Sequence, residues 1–182
     1  MATDQATLRH AAREDIPSIL AMVCELAEYE KELASVEATE AKLEASIAWA
    51  PSTAASSANT TEPITSTKPA RCILLFPPGS QEPAGMALYF YNYSTWRASS
   101  GIYLEDLFVR PAFRGRGYGK RLLVELARQV LEIKGGRLEW SVLKWNEPSI
   151  KFYRAIGATQ MDEWVGMRVD REALVKLAGG LE

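Results

Sequence analysis

The stretch from Leu104 to Arg121, LEDLFVRPAFRGRGYGKR, decides how this chain is read. It begins with the composition of a β-strand, passes through Pro111, and ends in alternating arginine and glycine that open onto a helix. In Arg114-Gly115-Arg116-Gly117-Tyr118-Gly119 the glycines carry no Cβ, so successive backbone N–H groups can turn inward toward one anion. A helix beginning near Gly119 adds its unsatisfied N–H groups and the positive end of its dipole. A pyrophosphate fits such a cradle.

Two commoner glycine loops do not match. Gly115, Gly117 and Gly119 alternate, which is not the G-x-G-x-x-G spacing of a dinucleotide fold, and Gly119-Lys120 is followed by Arg121 where an NTPase needs Ser or Thr for magnesium. Taken alone, the segment also fits a plain glycine turn before a helix, with solvated arginines.

Working outward, 182 residues with 47% hydrophobic and 24% charged side chains suit one globular domain with a sizeable core. The net charge of -2 provides no basic field for nucleic acid or an anionic membrane, so the basic cluster from Arg114 to Arg121 is local and suits a small anion. Cys24 and Cys72 lie in apolar surroundings and read as buried free thiols, with no disulfide framework and no metal site. His10 reads as a strand residue near the surface. No signal pattern or membrane-length apolar run is present, which predicts a soluble, cytoplasmic protein.

The patterning predicts a first strand over 6–12, then a helix with Asp15 and Pro17 in its first turn and Ile16, Leu20, Val23 and Ala27 at helical spacing. A second helix is predicted from Thr39 to Trp49, capped by Thr39, with Leu43, Ile47 and Ala48 inward. The Ser/Thr/Ala/Pro-rich stretch 50–69 reads as a flexible surface insertion. Strands follow over 72–76, 85–93 and 102–109, a helix over 117–134 stopped by Gly135-Gly136, and a strand over 137–143. A short helix over 148–156 begun by Asn146 or Glu147, a late strand over 165–170 and a closing helix over 171–178 complete the order. Antiparallel strands first, then strands interleaved with helices, predict an α/β domain with a mixed, mostly antiparallel central sheet flanked by helices.

The strand, arginine-glycine loop and helix resemble the acetyl-CoA-binding motif of the GNAT superfamily of N-acetyltransferases. Glu28-Tyr29-Glu30-Lys31, Tyr93 to Trp96, Tyr103 to Val109, Trp145 to Ser149 and Phe152-Tyr153 extend the resemblance to the branch of diamine (spermidine/spermine) and thialysine acetyltransferases. The resemblance covers nearly the whole chain apart from 50–69. It implies acetyl-CoA as cosubstrate, no metal, a small-molecule amine acceptor and a homodimer. At two places the chain departs from the pattern: the diamine enzymes carry aspartate and proline where Ser94-Thr95 stands, a pair that resembles the thialysine branch, and Lys144 replaces an acid usual in both.

Acetyl transfer to a primary amine needs a deprotonated amine, a held thioester and a proton for the departing thiolate. With an alkylammonium pKa of about 10.4, about one amine in a thousand is nucleophilic at neutral pH, so a base is valuable. Glu105 and Asp106 are adjacent on a strand and are expected to point to opposite faces, so that one of them faces a given cleft. The resemblance assigns Glu105 as the base. It assigns the backbone of Leu107, Phe108 and Val109 to pantetheine and the thioester carbonyl, and Arg114, Gly115, Arg116, Gly117, Tyr118, Gly119 and Lys120 to the pyrophosphate loop. Asn146, Glu147, Pro148 and Ser149 resemble the element that contacts coenzyme A, and Tyr153 the proton donor. Tyr29, Glu30, Trp96, Glu105, Asp106, Asp162 and Trp164 make up an acidic, aromatic amine-binding set. Two alternatives stay open: an acetyltransferase for a peptide or other amine, and a coenzyme A-binding domain without catalysis.

Overall fold

The computed structural model describes residues 5–52 and 61–180. They fall into two compact units, within Met1–Ser141 and Val142–Glu182.

The first unit is built on a five-stranded sheet. Strands β1 (Thr7–His10), β2 (Ala70–Phe76), β3 (Gly85–Ser94), β4 (Ser99–Val109) and β5 (Leu138–Trp140) lie in sequence order. Neighbours pair antiparallel except β4 and β5, which are parallel. This is the mixed, mostly antiparallel sheet that the sequence predicts.

Alternation along β2 separates two apolar layers. Cys72, Leu74 and Phe76 join Met86 and Phe108 in one cluster with Ile16, Ile19 and Met22 of helix α1 (Ile16–Tyr29) and Leu43 of helix α2 (Glu40–Ser46). On the other face lies helix α3 (Tyr118–Glu132), which buries Leu122, Leu123, Leu126 and Val130 at helical spacing. Each such side chain contributes about 1.5–3 kcal/mol through area removed from water. Helix α3 is thereby fixed with its N-terminus just beyond the end of β4.

Several local features differ from the patterning. Helix α2 starts as expected, with the Thr39 hydroxyl accepting from the Lys42 N–H at 3.2 Å, but it stops at Ser46. Ile47 to Trp49 run extended instead: Ile47 bridges Ala70, and Ala48 N–H donates to the Ala70 carbonyl at 2.8 Å. Pairing with the sheet, together with full burial of Ile47 and Trp49, outweighs another helical turn despite the high helix propensity of Ala48.

His10 is a strand residue, as expected, and half-buried. Its Nε2 lies 3.0 Å from the Tyr89 hydroxyl, which donates to Gln129 Oε1 of α3 at 2.6 Å. Burial first, then the Arg71 charge, lower its pKa to about 4, so the ring is neutral at pH 7. The core of the predicted insertion, 53–60, lies outside the described residues. On its flanks Glu62 pairs with Lys68 at 2.6 Å and with Arg13.

The second unit carries helices α4 (Glu147–Ala155) and α5 (Arg171–Ala178). The strand expected over 165–170 does not form. Val165, Met167 and Val169 alternate as a strand would, yet they are 82%, 91% and 49% exposed and no neighbouring strand pairs with them. An isolated strand leaves its backbone groups unmatched, so alternation alone does not fix one.

Candidate active site

The site starts from an irregularity in β4. Leu104 pairs with Tyr89 and Asp106 with Leu88, so Glu105 is an extra residue in the β3–β4 ladder, a β-bulge. The hydrogen bonds on either side of it agree. Ile102 N–H donates toward β5, to the Arg137 carbonyl, whereas Arg110 N–H donates toward β3, to the Ala84 carbonyl. In a regular strand these two would face the same way, and the single extra residue reverses the parity. From Arg110 backward, Leu107 and Val109 therefore aim their N–H groups away from β3. Among the described residues, strand β5 pairs only with Ile102, Tyr103 and Leu104, so this edge of β4 past the bulge has no strand partner among them.

The bulge also redirects Asp106. Leu104 shares the α3 face with Tyr89, but Asp106 shares the α1 face with Leu88, which packs on the α1 cluster. The alternation expected from adjacent strand positions is thus broken at Glu105. Asp106 lies within electrostatic reach of Glu105 and of Glu30, the C-cap residue of α1. Burial chiefly, then these two carboxylates, raise its pKa to about 6. Burial also raises Glu30. Three acids from two elements thus converge, and the carboxyl of one titrates near neutrality.

Beyond β4 the chain makes the expected loop. Gly115 and Gly117 adopt φ of 78° and 77°, the left-handed region where glycine carries no penalty. A Cβ on either would meet no atom within 4 Å, so glycine is needed there for backbone conformation and not for space. Gly117 is the N-cap of α3, and the intrahelical ladder begins with Arg121 N–H on the Gly117 carbonyl at 3.0 Å. The N–H groups of Tyr118, Gly119 and Lys120 therefore have no helical acceptor and point out of the helix start. These residues fit a diphosphate: N–H donors, a helix N-terminus and the cations Arg116 and Lys120.

Not every predicted side chain faces this loop. The Tyr118 ring is 8% exposed and packs with the α3 core, so the residue offers its backbone. Arg114 turns back: its Nε donates to the Val109 carbonyl at 2.9 Å, and its guanidinium lies over the rings of Tyr29 and Phe108. Trp96 is apart from the acids. It sits 90% exposed at the β3–β4 turn, and the run from Ser99 to Asp106 along β4 spans roughly 23 Å at about 3.3 Å per residue.

In the second unit, Asn146, Glu147, Pro148, Ser149 and Tyr153 stand on one element. The buried Asn146 caps α4, its Oδ1 accepting from the Ser149 N–H at 3.3 Å, with Pro148 in the first turn. Tyr153 is half-buried, its ring 5.3 Å from that of Phe152. Asp162 accepts from Gln160 Nε2 at 2.6 Å, and Trp164 is 67% exposed.

The bulge and the Arg114 contact are what sequence reasoning missed. The bulge left a trace in the sequence: the apolar positions of the α3 face run Ile102, Leu104, Leu107, Val109, with one step of three among steps of two.

An open strand edge with outward N–H donors, leading into a glycine turn that fits a diphosphate beside a group of carboxyls, suits the donor of an acyl-coenzyme A-dependent transferase. Comparison with known proteins gives the family. Residues 36–158 match the Acetyltransferase (GNAT) family, and the chain belongs to it. It is 33% identical to the thialysine N-epsilon-acetyltransferase of Bos taurus, with 94% of this chain and 96% of that one covered. It is 42% identical over 91 residues to the L-ornithine N5-acetyltransferase of Arabidopsis thaliana, covering 50% of this chain and 40% of that one. A V. cholerae integron cassette protein has the same fold, with a TM-score of 0.72 at 23% identity over 98% of both chains. The protein is thus an acetyl-CoA-dependent N-acetyltransferase acting on amines. Among the described residues no group of His, Cys, Asp or Glu is arranged to hold a metal ion, and no helix is long and apolar enough to cross a membrane.

Proposed function

We propose that this enzyme moves the acetyl group of acetyl-CoA to the primary amine of a small diamine, polyamine or thialysine-like amino acid, by direct transfer in a ternary complex. The observation that carries the reading is the convergence of Glu30, Glu105 and Asp106 at the bulge, where β4 also opens its edge. Three acids attract a dibasic acceptor, and a carboxylate beside the amine can accept its proton. Both named relatives act on amino acids with a side-chain amine.

Acetyl-CoA supplies the activated thioester when bound. Backbone N–H groups of Leu107 and Val109 orient the pantetheine arm and steady the carbonyl oxygen, and those from Gly115 to Lys120 hold the diphosphate with the Arg116 and Lys120 charges, the Arg114 N–H being spent on the Pro111 carbonyl. Asn146 to Ser149 contribute further coenzyme A contacts. Glu105 takes the proton from the amine directly or through a water, with Asp106 sharing the charge of the pair. Tyr153 donates the proton to the departing thiolate. Tyr29 and Glu30 bind the distal part of the acceptor. Direct transfer is favoured over an acyl-enzyme because neither cysteine lies in the donor motif: Cys24 is half-buried on α1, and Cys72 is fully buried, with burial holding its thiol far above the usual range. We read the protein as cytoplasmic and homodimeric, on its likeness to the family.

A thiol-release assay with acetyl-CoA and a panel of thialysine, ornithine, lysine, putrescine and spermidine tests this. Turnover should concentrate on acceptors with two cationic groups. Preference for peptide amines, or binding of acetyl-CoA with no turnover on any amine, overturns it.

A further inference from the structure

The two arginines of the Arg114–Gly119 loop behave differently. Arg116 lies 5.3 Å over the ring of Phe113, within the loop itself. The Arg114 guanidinium leaves the loop and stands 5.5 Å from the Tyr29 ring centroid and 5.7 Å from that of Phe108, while its Nε is tied to the Val109 carbonyl. One side chain thus joins the end of β4, the last turn of α1 and the start of the diphosphate loop. In a strand the N–H and C=O of one residue point the same way, so the carbonyl that Arg114 occupies lies on the open edge of β4. A planar guanidinium fixed through Nε and flanked by rings holds its position better than a lysine could, since the ammonium has neither the fork nor the flat face.

We infer that Arg114 is a positioning residue for the acceptor amine and not a diphosphate ligand: its side chain braces Tyr29, and with it the neighbouring Glu30, against the end of β4, while its own N–H is taken by the Pro111 carbonyl at 3.2 Å. The inference rests on the acetyl-CoA and amine reading above. It makes recognition of the acceptor depend on a residue of the donor loop, and it ends the open edge of β4 at Val109, where an incoming chain meets an N–H but an occupied carbonyl.

The test compares Arg114→Met, Arg114→Lys, Arg116→Met, Tyr29→Leu and the Arg114→Met/Tyr29→Leu pair. The readouts are the amine KM, kcat, and acetyl-CoA affinity by calorimetry. Arg114→Met should raise the amine KM roughly fivefold to tenfold and change acetyl-CoA affinity less than about twofold. Arg116→Met should do the reverse. Tyr29→Leu should raise the amine KM similarly, and the double variant should be no worse than either single one, because both remove the same contact. Arg114→Lys should remain impaired despite its charge, and it supplies the same cycle with Tyr29→Leu if the methionine variant does not fold. The inference is overturned if Arg114→Met weakens acetyl-CoA as much as Arg116→Met with the amine KM unmoved, or if the Arg114 and Tyr29 effects add. A wild-type enzyme that binds acetyl-CoA but acetylates no amine overturns the underlying reading instead.

Discussion

Asp106 stands opposite Leu88 in the β3–β4 ladder, on the face of the sheet covered by α1, because the bulge at Glu105 shifts the register by one residue. That shift takes a carboxyl that regular pleating would place under α3 and brings it to Glu30 at the end of α1. The site's electrostatics follow from this local fault in the strand.

The first prediction concerns pH. Asp106 is raised from its ordinary 3.8 to about 6 by burial and its neighbours, so the folded protein holds this proton more tightly than the unfolded chain. Stability therefore falls as pH rises through that window, and the penalty is fully present above it, at about 3 kcal/mol. Asp106→Asn should raise the melting temperature at pH 8 and lose that advantage near pH 4. A gain that is equal at both pH values would show that the charge of Asp106 is not the cause.

A second prediction separates the two acids. Glu105→Gln removes the proposed base and should lower kcat by about 100-fold or more. It also removes one of the charges that raise Asp106, so the acidic limb of residual kcat/KM, expected near pH 6 in the wild type, should move to lower pH. Retention of both turnover and limb position would exclude Glu105 as the base.

How much of this was legible in the sequence varies with the kind of interaction. Gly115 and Gly117 were readable because a positive φ leaves few alternatives to glycine. Helices α1 and α3 were readable because Ile16, Leu20, Val23 and Ala27, and Leu122, Leu126 and Val130, recur at helical spacing, although α1 buries Ile19 and Met22 most deeply and leaves Leu20, Val23 and Ala27 half-buried. The end of α2 was not, since Ile47 to Trp49 are decided by pairing with Ala70, a contact distant in sequence. For the same reason 165–170 reads as a strand but has no neighbour to pair with. In the site, the residue types at 105 and 106 were visible, while the face that Asp106 takes depends on a register fault against β3. The turn of Arg114 onto Val109 and Tyr29 left no mark in the local pattern.

A third prediction addresses the loop. At Gly117, with φ of 77° and open space around a would-be Cβ, alanine costs backbone strain of roughly 1–2 kcal/mol without a clash. Gly117→Ala should lower thermal stability by that amount and weaken acetyl-CoA about tenfold as the N–H groups at the start of α3 lose their aim. The amine KM should change little. Full retention of acetyl-CoA affinity would show that the loop backbone does not hold the diphosphate.

The fourth concerns the proton donor. Tyr153→Phe keeps the ring and its packing with Phe152 but removes the hydroxyl. It should lower kcat by about 10²–10³-fold and leave acetyl-CoA affinity within about twofold. Unchanged turnover would remove Tyr153 from the mechanism.

Calorimetric titration of acetyl-CoA into the folded protein tests the central claim most directly. A saturable one-to-one heat that weakens in Gly117→Ala and Arg116→Met is the predicted result. The absence of heat in wild-type protein shown to be folded, or binding indifferent to both substitutions, would contradict the donor site described for the β4 edge and the arginine-glycine turn.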